Sequence, residues 1–329
     1  MTGRFIFIDN ISGIMIIYMI YSHIAQISAM DMTDEYQILL KVFFCFMTWF
    51  FFKAGLLFTP PLKKIGFSKD YLKKIAAKLL VPFVFFVVVS LGVHVICLFF
   101  NGESWWHLIV SEIKSIICNE APIANLPLWF LATFLIVKTV GQLITSFQYA
   151  FVILLSSFVL AYVASQFKTG FIWIGNIPLS LSFFISGYLL KSFYQKKMVI
   201  ICSLLLIIYY IIHPVYIGVR SNEVVFGDYY YLGWLYSVSA CIILVFFFKK
   251  YLDFSIPVLS MIGRESMIFF ASHYLILYFT DKLYDSYLFN FRICGEYTEF
   301  LLLMISSIIF LPFFKVIFNS KYLSFAIGR

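Results

Sequence analysis

The first apolar run of this chain, RFIFIDNISGIMIIYMIYSHI, carries an acid, two hydroxyls and an imidazole at Asp9, Ser12, Ser22 and His23. On an α-helix, Asp9 and His23 fall within about 40° of one face, and Ser12 and His23 within about 20°. His23 then stands roughly 21 Å beyond Asp9 along the axis. An imidazole changes protonation near neutral pH and suits the removal of a proton from a hydroxyl. Asp9 is too distant to orient that ring, and its place is beside basic groups at the start of the run. The second apolar run holds a cation, Lys53 in FFFKAGLLF, at about the depth of Ser12. A cation there suits an anionic ligand. The plainer alternatives are a histidine that packs a bundle and a lysine that snorkels to an interface.

These residues need rigid carriers, and the composition says what the carriers are. Of 329 residues, 63% are hydrophobic and only 12% are charged, against about 25% charged in a soluble domain. Such a chain cannot cover its surface with polar groups, so its apolar excess faces lipid. Runs long enough to span occur near residues 5–28, 38–58, 79–100, 127–146, 148–166, 171–190, 198–214, 229–248, 265–281 and 299–318. Each approaches the ~20 helical residues that cross a bilayer. The expected fold class is all-α: a polytopic membrane bundle of about ten transmembrane helices. No linker, repeat or low-complexity tract divides it, so residues 1–329 read as a single transmembrane domain. Arg4 precedes an apolar run with no small-residue cleavage site, which predicts a retained first helix.

Basic residues alternate from loop to loop. With the N-terminus inside, sixteen of the 24 Lys and Arg lie in inner segments, including Lys63, Lys64, Lys69, Lys73, Lys74 and Lys78. The outer segments hold acids such as Asp31, Asp34, Glu35, Glu103 and Glu120. Both termini are therefore expected in the cytoplasm. The basic loop 59–78 reads as an anchor on anionic lipid or as a landing surface for a phosphorylated donor. The net charge of +8 does not point to nucleic acid, because the cations sit between apolar runs and form no separate face.

Other candidates are weaker. His94, His213 and His273 lie in later runs and His107 in the outer segment Asn101 to Asn125; each alone reads as a packing or interfacial histidine. Trp129 opens the fourth run after Pro127, as an aromatic-belt residue or a substrate contact. Arg264 and Glu265 read as a pair at a helix end. The six cysteines form no Cys-x-x-Cys or Cys/His pattern, so no metal site is expected. Cys118 and Cys294 fall in outer segments where a disulfide is conceivable, but spacing does not give connectivity.

The order Arg4, Asp9, Gly13, His23 at the head of a ten-helix chain resembles the acyltransferase family 3 membrane proteins, most of all their fucose O-acetylase-like and polysaccharide-adhesin-type members. Further segments agree in order: FFFKAGLLF at 50–58, KKIAAKLLVPF at 73–83, LPLWFLATFLI at 126–136, FFISGYLLK at 183–191 and IGRESMIFFASHYLIL at 262–277. The resemblance runs over essentially the whole chain.

It implies a membrane O-acyltransferase, transferring groups other than aminoacyl groups, in the bacterial inner membrane. The donor would be cytoplasmic acetyl-CoA, acting as a substrate with no permanently bound cofactor. The acceptor would be a hydroxyl of an envelope carbohydrate. Carried over, His23 matches the family's first-helix histidine, the general base, and Asp9 the acid upstream of it. Arg4, Ser12 and Lys53 fall to the donor and Trp129 to the acceptor. One departure stands out: the family has Lys or Arg where this chain has Ser12, and a small polar residue where it has Lys53. The expectation is a swap, with Lys53 restoring across a helix pair the charge that Ser12 lacks. The donor's thioester arm would then reach from the basic mouth toward His23. Two other classes compete. A carbohydrate exporter or flippase would share the helices and the polar midplane residues, but often shows internal repeats, and none is evident. A glycan polymerase would be expected to carry an outer loop rich in Arg and His, and Asn101 to Asn125 has His107 and no Arg.

Overall fold

Within hydrocarbon, a single segment can satisfy its own N–H and C=O groups only as a helix, and the long uncharged runs of this chain take that form. The computed structural model describes residues 5–59, 69–101, 105–144, 147–166, 171, 173–215, 230–284 and 296–328, and among them every regular element is helical. The α-helices are α1 (Ile6–Ile27), α2 (Asp34–Val42), α3 (Phe46–Leu56), α4 (Lys69–Ile75), α5 (Val81–Asn101), α6 (Trp105–Asn119) and α7 (Trp129–Gly141). They continue as α8 (Phe147–Gln166), α9 (Trp173–Leu190), α10 (Lys197–Ile212), α11 (Tyr230–Tyr251), α12 (Pro257–Arg264), α13 (Ser266–Leu283) and α14 (Glu296–Phe318). Arg4, residues 60–68 of the basic loop and Cys294 lie outside the described residues.

Among the described residues each of the ten expected runs contains helix, with 38–58 broken at residues 43–45 between α2 and α3. Seven helical stretches among the described residues are long and apolar enough to cross a membrane: Ile6–Ile27, Asp34–Leu56, Asp70–Cys97, Ile109–Gly141, Trp173–Leu190, Tyr231–Tyr251 and Tyr297–Phe318. Gln148–Ala164 and Lys197–Ile212 are apolar but shorter, and α13 covers the remaining run. Between α4 and α5 the helix widens into a π-helical stretch, Ala76–Leu80. Pro82 follows at once; its missing N–H and its ring disrupt the bond to the carbonyl four residues earlier.

The segment expected as an outer loop, Asn101 to Asn125, is instead mostly helix α6. Ile109, Val110, Ile113 and Ile117 on α6 are exposed, while Glu112 and Ser115 are buried. This reverses the pattern of a soluble amphipathic helix, as suits an apolar face turned to lipid.

The helices gather into two compact units. The first contains residues 1–15, 43–72 and 133–264. Its center is aromatic, with Trp49, Phe51, Phe52, Phe183, Phe184 and Tyr236 fully buried. Here α3 packs on α9, and α9 on α8. A Cβ on Gly55 would overlap the Phe184 carbonyl, and one on Gly187 would overlap the Phe52 carbonyl. Two of the segments singled out in the sequence, 50–58 and 183–191, therefore meet backbone to backbone, a close approach that small residues allow. Gly13 and Gly263 do the same for α1 and α12, against Leu259 and Asp9 respectively. Beside that crossing, buried Asn10 donates to the carbonyls of Leu252 (3.2 Å) and Phe254 (2.8 Å) and accepts from Ser260 Oγ (2.6 Å). Both its amide protons and one lone pair of its oxygen are taken by protein groups.

The second unit contains residues 16–42, 73–132 and 265–329. Helix α13 is its axis, packed by α14, α5 and the 3-10 segment Ile123–Leu128. Ile24, Leu277 and Leu303 form a fully buried apolar cluster.

Candidate functional site

In the first unit, Ser12 is the center of a polar knot. Its hydroxyl donates to the Ile8 carbonyl at 2.7 Å. It accepts from the Trp49 indole N–H at 3.1 Å and from Lys53 Nζ at 3.0 Å. A hydroxyl has one proton and two lone pairs, so Ser12 is saturated by protein groups. Trp49 and Lys53 lie four residues apart on α3, which brings both donors to the same face. Lys53 is partly exposed, and its ammonium also stands 5.1 Å from the center of the Phe50 ring. The one cation of this knot thus comes from α3, where a charge swap between the first two apolar runs would put it. Asp9, one turn earlier on α1, is partly buried.

In the second unit, His23 lies against two residues of α13. Its ring center is 5.3 Å from that of His273, the planes 30° apart, and 5.3 Å from that of Tyr274, edge-on at 87°. Successive residues of α13 supply the second imidazole and the phenol. Gln26, three residues on from His23, donates to Tyr36 Oη at 3.1 Å. Tyr36 Oη is also 3.0 Å from Ser22 Oγ. Helix α2 thereby braces the histidine-bearing turn of α1. His23 keeps part of its surface open, whereas His273 is fully buried.

The backbone determines the protonation pattern of His273. Its Nδ1 is 2.8 Å from the Phe270 carbonyl and 3.0 Å from the Phe269 carbonyl. Carbonyls only accept, so Nδ1 carries the proton and a neutral ring presents a lone pair at Nε2. That Nε2 is buried and has no hydrogen-bond partner. A buried acceptor left without a donor is costly and calls for an explanation. Two imidazoles thus stand side by side, and the lone pair of a neutral imidazole can accept an O–H proton.

Trp129, at the start of α7, is only 6% exposed and packs edge-on to Phe130 at 6.2 Å. Phe130 in turn meets Phe270 at 4.8 Å, and Phe270 meets His273 at 6.2 Å. Of the sequence-derived candidates, Ser12 and Lys53 are therefore brought together in the first unit, and His23 lies in the second unit, where Trp129 joins the aromatic packing behind His273. Sequence reasoning left His273 as a packing residue. The signal was there in IGRESMIFFASH, a late segment ending in histidine, but the side on which its ring faced was not.

No curated protein and no solved structure matches this chain. The sequence model of the acyltransferase domain family, acyltransferase family 3, matches residues 5–316, which takes in α1, α13 and every described residue of both clusters. The chain belongs to that family, and is a membrane-integral acyltransferase that transfers groups other than aminoacyl groups.

Proposed function

We propose that this acyltransferase moves an acetyl group from cytoplasmic acetyl-CoA to a hydroxyl of a cell-envelope or exopolysaccharide sugar, in the inner membrane of a bacterium, as a fucose O-acetylase-like member of its family. The reading takes residues 1–329 as one functional domain with both termini cytoplasmic. The observation that carries it is the imidazole pair, His23 and His273, which offers a hydroxyl a partly open base beside a buried lone pair. His23 takes the proton of the acceptor hydroxyl as that oxygen attacks the thioester carbonyl. The carbon–sulfur bond then breaks, and the proton passes from the imidazolium to the departing thiolate. General-base help of this kind contributes about 10²–10⁴-fold.

Lys53 supplies a positioned cation for the anionic donor, with Ser12 holding it and Arg4 adding charge; Asp9 positions those basic groups. Trp129 shapes the wall behind the acceptor. Membrane lipid surrounds the whole.

The test is the O-acetyl content of envelope polysaccharide, read by proton NMR, in a deletion strain complemented with wild type or with His23→Ala. Acetyl signal restored by wild type alone is the expected result. Equal acetylation in both strains would remove His23 from the chemistry. Unchanged acetylation with glycan retained inside the cell would move the assignment to carbohydrate export.

A further inference from the structure

A second polar constellation lies in the same unit and has no part in the chemistry above. His94 on α5 and Glu112 on α6, both buried, pair through His94 Nδ1 and Glu112 Oε1. The other carboxylate oxygen, Oε2, accepts the backbone N–H of Ile123 at 3.0 Å. Two residues on, Asn125 departs from the surrounding 3-10 geometry at φ −152° and ψ 61°. Its Nδ2 donates to the Ala271 carbonyl at 2.9 Å. A carbonyl only accepts, so the amide nitrogen must face Ala271 and Oδ1 must face away. That Oδ1 is fully buried and has no hydrogen-bond partner.

Two acceptors are thus oriented by protein groups. Glu112 Oε1 accepts from His94 Nδ1, so in the neutral imidazole the lone pair falls at Nε2. Ala271 fixes Asn125 with its oxygen turned outward. Ile123 ties the two together, and Ala271 ties them to the helix that bears His273. We propose that Asn125 and His94, with Glu112 as the positioning residue, form an acceptor subsite that receives hydroxyl protons of a neutral polyol other than the hydroxyl being acylated. The inference rests on the acyl-transfer reading above and adds to it where the rest of the acceptor is held. Lone pairs on a carbonyl oxygen and an imidazole accept from O–H groups and repel carboxylate or phosphate, which favours a neutral polyhydroxy ligand over an anionic one.

The test uses the full chain in proteoliposomes with labelled acetyl-CoA and two acceptor probes, methyl α-glucopyranoside and n-propanol. Glu112→Gln is nearly isosteric, but its amide must give the oxygen to the Ile123 N–H and donate to His94 Nδ1. That moves the His94 proton to Nε2 and turns an acceptor into a donor. Asn125→Leu keeps the branched shape and removes the free oxygen, together with the bond from Nδ2 to Ala271. For each variant the glucoside kcat/KM should fall at least about tenfold, mostly through KM, with n-propanol transfer within about twofold of wild type. Glu112→Asp, which keeps a carboxylate, should recover part of the glucoside transfer. An equal fall for both probes would make the constellation structural and overturn the proposal. No change for either would mean that water fills the acceptors, and would overturn it as well. If wild type transfers acetyl to neither probe, the acyl-transfer reading fails first and the subsite fails with it.

Discussion

The saturated hydroxyl of Ser12 makes a prediction in which activity and stability part company. Ser12→Ala removes the acceptor for Lys53 at 3.0 Å and for Trp49 at 3.1 Å together. The indole of Trp49 is fully buried, so its N–H is left without that acceptor at a cost of about 1–3 kcal/mol. The hydrogen bond to the lysine, being charge-assisted, contributes about 1.5–3 kcal/mol. If Lys53 serves the donor, Lys53→Met should lower kcat/KM for acetyl-CoA by roughly 10–100-fold, or about 1.4–2.7 kcal/mol. Ser12→Ala should lower it about tenfold, because the ammonium remains but is no longer held. The double variant should match Lys53→Met in kcat/KM, since Ser12 then has no cation left to position; residues acting through each other do not add. In stability the double variant should still carry the Trp49 penalty. The assay is thiol release from acetyl-CoA in proteoliposomes, paired with thermal unfolding in detergent. Full activity of Lys53→Met would refute the charge swap. A double variant falling by the product of the two single losses would refute the positioning role of Ser12.

Two further outcomes follow from the same contacts. Gly187→Leu should push α9 off α3, because even a Cβ there overlaps the Phe52 carbonyl; loss of a monodisperse peak on size-exclusion chromatography is expected, and a normal peak would deny the close crossing. His273→Phe keeps an aromatic ring against His23 and discards the orphaned Nε2, so unfolding temperature should hold while transfer to the acceptor hydroxyl falls at least about tenfold; unchanged transfer would leave that lone pair without a role.

The fold was legible because length and hydropathy act on whole segments, and a run such as 79–100 or 299–318 can satisfy its backbone in lipid in only one way. The Lys53–Ser12 contact was legible for a different reason. It came through the family resemblance, which puts a cation where this chain has Ser12 and a small polar residue where it has Lys53 at matching depth. What periodicity could not supply was the far side of each contact. It set Ser12 and His23 within about 20° of one stripe, yet the bonding partners of Ser12 all come from α1 and α3, and the ring partners of His23 from α13. The tautomer of His273 depends on two carbonyls of its own preceding turn, and the freedom of Asn125 Oδ1 on a carbonyl 146 residues away. Helix α6 escaped for a physical reason that generalises. A search for amphipathic helices looks for polar residues facing out, whereas lipid rewards the opposite, so Glu112 among Ile109, Ile113 and Ile117 read as an irregular outer segment. In hydrocarbon an isolated ionisable group must find a partner inside the bundle. Glu112 therefore carried more structural information than the isoleucines around it, because a buried carboxyl required a partner such as His94, and that pairing is what orients the imidazole.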